Sequence, residues 1–451
     1  MEYTQTQLME AALSGTGAPM TLDQIISEEI RQFKQSAAYG DLLTAGDYYC
    51  NRSDIQSKTN DMAQRANVKI EHPMYRRVVD QKVRYLLARP WSVSTEDQSY
   101  GKALEGLFDS GFRRKIRKLG KNSVRDGIGW LQPYIDGDGK LAFTVLPGHE
   151  VVPLWRDEER QELDGFIRFY SQTVYIGQAR TVVGHAEYWY SEGVRRFRDA
   201  NCSGYYREIT REPEPHFTLG AQGYNWAKAP LVWLRYNDEE LPLLRFVKEL
   251  IDDYNWQTSI TADVLRDVAK FVYVLRNYGG EDLGQFVAEL RKSLAIQVEG
   301  DGGVEKLQAD VNVDAVMTFL DKQRRDLYDF ASAVDTRDPN LGSASGKAIG
   351  FRYMDLDADC ADLGAELQTA FSRLKPFLDT WFQAAGQGDF SGSAFEIQFN
   401  MDMPVDETEI IANLNASAGL LSRRTLLENH PWVKDVDREL ERAAREQPPA
   451  Q

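Results

Sequence analysis

Cysteine is scarce in this chain. Its 451 residues hold three, Cys50, Cys202 and Cys360, far apart and without a CxxC spacing. Three thiols cannot all pair, so a disulfide scaffold is not indicated and a reduced, cytosolic setting is the expectation. Histidine is sparse too, with five residues dispersed along the chain, and no GxSxG nucleophile motif occurs. No apolar run approaches the roughly 18 residues that a membrane helix needs. The N-terminal MEYTQTQLMEAALSGTG lacks a basic region followed by an apolar one, so no signal peptide is expected. Positive charge is in deficit: 53 Lys and Arg against 69 Asp and Glu leave a net −16. Tight nucleic-acid binders concentrate Lys and Arg, because phosphate neutralisation supplies their affinity. That argues against a tight grip on DNA. It leaves room for walls past which a polyanion slides, and solubility is the ordinary reading of such a charge.

At this length, with 42% hydrophobic residues, two or more domains with globular cores are expected. Leu22, Ile25, Ile26, Ile30 and Phe33 recur at helical spacing, and Met20–Thr21 can start that helix. Further helices are predicted over 66–90, ending near Arg89-Pro90, and from Phe108 to Asp126. From Gly129 to Trp233 the pattern turns to strands. Trp130–Ile135 and Leu141–Leu146 flank Asp136-Gly137-Asp138-Gly139-Lys140, a hairpin signal. Strands are also predicted at 166–170, 181–190, 194–198 and 231–235. After Asn237, Leu244, Val247, Leu250, Ile251, Tyr254, Thr258, Leu265 and Val268 fall at three- and four-residue steps. That is a rod of about 39 Å at ~1.5 Å per residue. A small module follows, with strands at 271–275, 295–298 and 304–307 and a short helix at 283–291. A second rod starts near Asn312 and carries Val316, Phe319, Leu320, Leu327, Phe330, Ala331 and Val334. Residues 335–346 read as a loop, with Ser345 able to cap a helix running from Lys347 towards Trp381. The fold class is α+β.

Three local patterns invite chemistry. The DxDG run resembles the start of a calcium loop, but the distal glutamate is missing, so no metal site is expected. Gly342 to Gly346-Lys347 is one residue short of a phosphate loop, and Ala348 stands where Ser or Thr is needed, so no nucleotide cofactor is expected. Arg113, Arg114, Lys115, Arg117, Lys118, Lys121 and Arg125 form a basic run without an acid. A solvated face is the ordinary reading. An acidic patch on a neighbouring copy, such as Asp355, Asp357, Asp359 and Asp362, is the functional one. The aromatics between Trp155 and Tyr206 can stack bases but more commonly pack a sheet.

The tail is the most distinctive part. Phe395–Met401 alternates as a half-buried strand should. Pro404 ends it, and Asp406 with Glu409 can form a capping box. Gly419 breaks the next helix and Ser422 can cap the following turn. These features resemble the C-terminal part of phage portal proteins, in the branch found in long-tailed phages. There a strand is followed by an N-x-P step and E-T-E, here Asp402 to Glu409. A turn through S-x-x-T-L-L-E follows, here Gly419 to Glu428, and then a P-W-V-x-D step, here Pro431 to Asp435. Asp402 replaces the family's asparagine. Earlier segments agree in order: Asp47 to Ile55, His72 to Val83, Leu250 to Tyr254, and Ala344 to Ile349.

The resemblance implies a ring, typically a dodecamer, at one capsid vertex. Its double-stranded DNA channel serves packaging and ejection. A wing would occupy 1–238 with a return at 383–405. Stem helices would occupy 239–269 and 312–335, with a clip at 270–311 that docks terminase and then a head-completion or adaptor protein. A tunnel loop at 336–346 would lead into a long helix at 347–382, and a short crown would occupy 406–451. Channel-facing candidates are Arg337, Asp338, Asn340, Ser343, Ser345 and Lys347. The implied partners are other copies of the chain, capsid and scaffold proteins, terminase, the head-completion protein and passing DNA. The implied location is the virion, with host cytoplasm during assembly, and no cofactor, membrane or enzymatic step is implied. Two other classes stay open on the residues alone: a head or adaptor protein that binds the portal, and a carboxylate-based hydrolase.

Overall fold

The computed structural model of the chain describes residues 4–15, 19–59, 66–210, 212–219, 222–268, 272–276, 284, 303–307, 313–338, 346–400, 407–433, 436, 439–440 and 442–443. Helices α1 (Gln5–Ser14), α2 (Leu22–Gln35), α3 (Ala37–Tyr49) and α4 (Met74–Leu87) open the chain. Strand β1 (Ser92–Ser94) and helices α5 (Gln98–Leu107) and α6 (Ser110–Asp126) follow. Next come β2 (Ile128–Ile135), β3 (Leu141–Leu146), β4 (Val151–Trp155), β5 (Leu163–Ile176), β6 (Ala179–Tyr190) and β7 (Gly193–Asp199). The short strands β8 (Arg207–Glu208), β9 (Phe217–Leu219), β10 (Gln222–Tyr224) and β11 (Val232–Arg235) complete this region. Helix α7 (Leu244–Val268), strands β12 (Val272–Arg276) and β13 (Gly303–Leu307) and helix α8 (Val313–Phe330) then follow. The chain closes with α9 (Gly346–Ala384), β14 (Glu396–Gln398), α10 (Glu407–Ala416) and α11 (Arg423–Glu428). It divides into two units: 1–46, 77–245 and 331–451 in the first, 47–76 and 246–330 in the second.

The first unit is built on antiparallel sheets in the order β4-β5-β6-β7-β8 and β11-β2-β3, with pairs β9-β10 and β1-β14. Helix α2 lays Ile25, Ile26 and Ile30 against Val152, Leu154, Ile167, Phe169, Ala186 and Phe197 of the larger sheet. Each such isoleucine contributes about 2 kcal/mol by leaving water. Thr21 and Gln24 form the capping box that starts α2, as the Met20–Thr21 reading requires. A second core packs Trp130, Trp155, Phe166, Trp189 and Trp233 between the two sheets. Much of the aromatic density read from the sequence is therefore sheet packing, while Tyr175 and Tyr205 are exposed. Helix α9 runs for 39 residues with Pro376 inside it. It buries Leu363, Leu367, Phe371, Leu374 and Leu378, and Phe371 meets Trp91 and Phe108 edge-on at 5.5 and 5.6 Å.

Several boundaries move. The helix expected over 66–90 begins only at Met74, because residues before Pro73 hydrogen-bond elsewhere. Two helices stand near the one expected from Phe108 to Asp126: α5, which was not expected, and α6, which covers the expected span from Ser110 on. Asp109 caps the second by accepting the Phe112 amide at 2.7 Å. Gly127 ends α6 at φ +86, where a Cβ would lie 2.0 Å from the Glu240 carbonyl, so only glycine fits. The β5–β6 hairpin extends well past the expected strands, and β4 is additional. The second rod stops at Phe330, five residues early, where Ser332 turns at φ +44. In the tail, α11 is capped by Ser422, whose hydroxyl accepts the Thr425 amide at 3.2 Å, and Gly419 turns at φ +97. Pro404, Asp406, the strand at 295–298 and the helix at 283–291 lie outside the described residues, Gly284 excepted. Cys50 and Cys202 are exposed and Cys360 is buried.

His216 locks the small β9–β10 end to the sheet. Its Nε2 donates to the Tyr190 carbonyl at 2.7 Å, and its Nδ1 accepts the Trp226 amide at 3.1 Å. The ring stacks on Trp189 and Trp226 at 5.9 and 5.8 Å. Both nitrogens are committed, so a second proton would break the Trp226 bond, and burial lowers the imidazole pKa. A depressed histidine contributes stability that is whole above about pH 6.5 and is lost as pH falls below it. Urea midpoints measured at pH 7.5 and 5.5 should therefore drop for the natural chain by more than for His216→Gln.

Candidate functional site

In the first unit, the chain leaving Phe330 is pinned before it reaches the predicted loop. Gln81 of α4 grips Val334 from both sides. Its Nε2 donates to the Val334 carbonyl at 2.9 Å and its Oε1 accepts the Val334 amide at 3.0 Å. The neighbouring Lys82 is fully buried. Its ammonium donates to the Ser332 carbonyl at 3.0 Å and to Asp359 of α9 at 2.8 Å. The second Asp359 oxygen accepts the Tyr236 hydroxyl at 2.9 Å. Tyr85 donates to Asp357 at 2.8 Å, and burial, reinforced by that carboxylate, pushes its pKa up. Cys360 lies among these groups with its thiol pushed up to about 12 by burial, an inert thiol at neutral pH.

The predicted channel residues divide accordingly. Arg337 is exposed, and its amide donates to Asp335 at 3.0 Å. Asp338 is ion-paired with Arg352 of α9 at 2.6 Å. Both lie in the turn after Asp335, whose carbonyl accepts the Asp338 amide. Arg77 donates to the Thr336 hydroxyl at 2.9 Å. Asn340, Ser343 and Ser345 lie outside the described residues, and Lys347 sits in the first turn of α9 with its side chain outside them. Gln81 and Lys82, which set the base of the loop, were not singled out as site residues. Their signal was a lysine and a glutamine inside the apolar stripe of the His72–Val83 motif.

In the second unit, α7 presents a ladder of polar side chains to a segment without helix or strand. Asp263 accepts the Val68 amide at 2.6 Å, Ser259 the Ile70 amide at 2.9 Å and Asn255 the His72 amide at 3.0 Å. The bonds fall on every fourth residue of the helix and every second residue of the segment. Four helical residues rise ~6.0 Å and two extended residues ~6.6 Å, so the two repeats keep step. Asp263 also pairs with Lys58. One step back, Asp252 accepts the Tyr48 hydroxyl at 2.5 Å and pairs with Lys248 at 2.7 Å. On another side of α7, Asp253 accepts from Gln323 of α8. The motifs at 47–55, 72–83 and 250–254 thus meet on α7 in part as one hydrogen-bond network.

Two sequence patterns resolve as structure. Asp136 accepts the amides of Asp138 and Lys140 at 3.0 and 2.9 Å, so the DxDG run closes the β2–β3 turn. Among the described residues no group of three or more His, Cys, Asp or Glu could hold a metal. In the basic run, Arg113 lies 4.4 Å over the Trp91 ring and donates to the Trp91 carbonyl at 2.7 Å. Arg125 pairs with buried Asp126, and burial lowers the pKa of Lys121. Arg114, Arg117 and Lys118 are exposed. The proposed acidic counterpart is also partly committed, since Asp357 and Asp359 serve Tyr85, Lys82 and Tyr236. Arg113 and Arg125 in the run, and Asp357 and Asp359 in the cluster, thus serve their own fold, while Arg114, Arg117 and Lys118 stay exposed.

Lys82→Met removes one partner of a buried pair and should cost about 3 kcal/mol, read as a lower urea midpoint. Adding Asp359→Asn should recover part of it, since no unpaired charge then remains. Asn255→Ala should speed hydrogen exchange of the His72 amide while leaving that of Val68 nearly unchanged.

Among the described residues no helix is long and apolar enough to cross a membrane. A family-wide sequence profile described as phage portal protein, SPP1 Gp6-like, matches residues 33–451. The chain is 28% identical over 424 residues to the portal protein of Bacillus phage SPP1, covering 90% of this chain and 83% of that one. It is 24% identical over 422 residues to the portal protein of Clostridium phage phiCD119, covering 88% of this chain and 90% of that one. Of the readings left open by the residues, the match over nearly the whole length selects the portal itself. The chain belongs to the phage portal protein family, structural components of the phage head that form oligomers and meet capsid and DNA.

Proposed function

We propose that copies of this chain close into a ring, twelve in number, whose channel passes double-stranded DNA into and out of the capsid. Ring closure needs two different patches per subunit joined head to tail. In this reading 1–238 with 383–405 is the wing, 239–269 and 312–335 are the stem segments that carry α7 and α8, and 270–311 is the clip. The clip docks terminase during packaging and a head-completion or adaptor protein afterwards. Residues 336–346 line the channel, 347–382 back them, and 406–451 form a short crown. Capsid and scaffold proteins contact the ring's outside.

The observation that carries the reading is the second unit's plan. A 25-residue helix and an 18-residue helix flank the antiparallel pair β12–β13. Asp253 and Gln323 link the two helices. Two rods with a small module between them suit a stalk with a docking tip. The pinned segment before the loop supports a channel role for Arg337 and its neighbours, because a loop that touches sliding DNA needs a fixed root. Polar residues of mixed sign suit transient contact, and no base-reading role is assigned. No catalytic step is needed for any of this.

Negative-stain imaging and native mass measurement of the purified chain should show closed rings of twelve. Replacing 277–300 with a short Gly-Ser linker should leave rings intact and abolish DNA-filled heads in a complementation assay. A chain that stays monomeric in virions, or a linker variant that packages normally, would defeat the reading.

A further inference from the structure

In the first unit an open cavity of about 640 Å³ lies between the α5–α6 junction, the β2–β3 hairpin and the end of α9. Its floor is aromatic, made by the buried rings of Phe112, Phe143 and Phe382. Lys102, Lys115 and Lys140 line its sides, and among the described residues no ion pair engages them. The one acidic lining residue, Asp109, is occupied as the cap of α6. The Asp109 carboxylate offsets the partial positive charge of that helix's N-terminal turn, and the three ammonium groups outnumber it and set the sign. Trp381 also lines the cavity. It is 8% exposed, and its ring adds to the aromatic lining.

We propose that this cavity docks an acidic peptide segment of a partner protein, seating a large apolar side chain on the aromatic floor with flanking carboxylates on the three lysines. The chain's own charge of −16 makes a concave, unpaired cluster of lysines unusual for it. Charge complementarity selects an acidic partner. The aromatic floor selects one with an apolar anchor. Duplex DNA matches the charge but offers no side chain to fill a recess of this size.

Fluorescence anisotropy on the full chain tests this with a labelled, acetylated peptide of sequence Asp-Glu-Phe-Glu-Asp. Saturable binding is expected with Kd on the order of 10–100 µM, weakening as salt rises from about 50 to 500 mM. Replacing the peptide's Phe with Ser, or its acids with Lys, should weaken it at least about tenfold. Lys102→Glu/Lys115→Glu/Lys140→Glu should do the same. Lys102→Glu with Lys140→Glu, both at exposed positions, is the fallback if the triple variant misfolds. No saturation by 1 mM peptide, an unchanged Kd in the lysine variants, or displacement of the peptide by a 12-base-pair duplex would overturn the proposal.

Discussion

A helix that buries polar side chains must find each of them a partner, and on α7 the partner is another segment's backbone. Asn255 and Ser259 are fully buried. In an apolar setting each would cost free energy if left unmet. The stretch from Val68 to His72 has the complementary need, because it forms neither helix nor strand that could use its own amides. Each requirement answers the other, and the match of repeats fixes the register. Substituting either side with apolar residues would strand the opposite one. That mutual dependence joins motifs distant in the sequence: Tyr48, His72 and Asp252 share contacts on one helix.

The first unit applies the same rule at the root of the predicted loop. Lys82 satisfies a carbonyl and a carboxylate at once, and Gln81 imitates a neighbouring strand by pairing both polar groups of Val334. These contacts fix where the loop starts. Here the anchoring residues come from α4 and α9, which are themselves tied to the aromatic core around Phe371.

Long, strongly periodic elements were legible in the sequence. α2, α7 and α9 were found because apolar residues recur at three and four positions, and the β2–β3 hairpin because Asp136 to Lys140 has turn chemistry. What was missed depends on non-local contacts. β4 is a five-residue strand with a proline at position 153, visible only once β5 pairs with it. Helix α5 was missed because it is only ten residues long, and its cap shows only once Asp97 accepts the Ser99 and Tyr100 amides. Residues 66–73 look helical by composition, yet their amides are claimed by a helix nearly two hundred positions away. The loop residues Arg337 and Asp338 were chosen by resemblance, and their inequality emerged from geometry: Asp338 is held by Arg352 while Arg337 is exposed. The anchors Gln81 and Lys82 carried only the weak signal of polar residues where a stripe should be apolar.

The three cysteines make the chain a ready-made spectroscopic object. Cys360 is sealed and slow to ionise. Cys50 in the second unit and Cys202 in the first are both exposed. A maleimide dye pair would therefore attach at two native positions, one per unit, with no engineered residue. Energy transfer between the dyes would then act as a ruler across the two units, readable in the free chain and again once copies assemble.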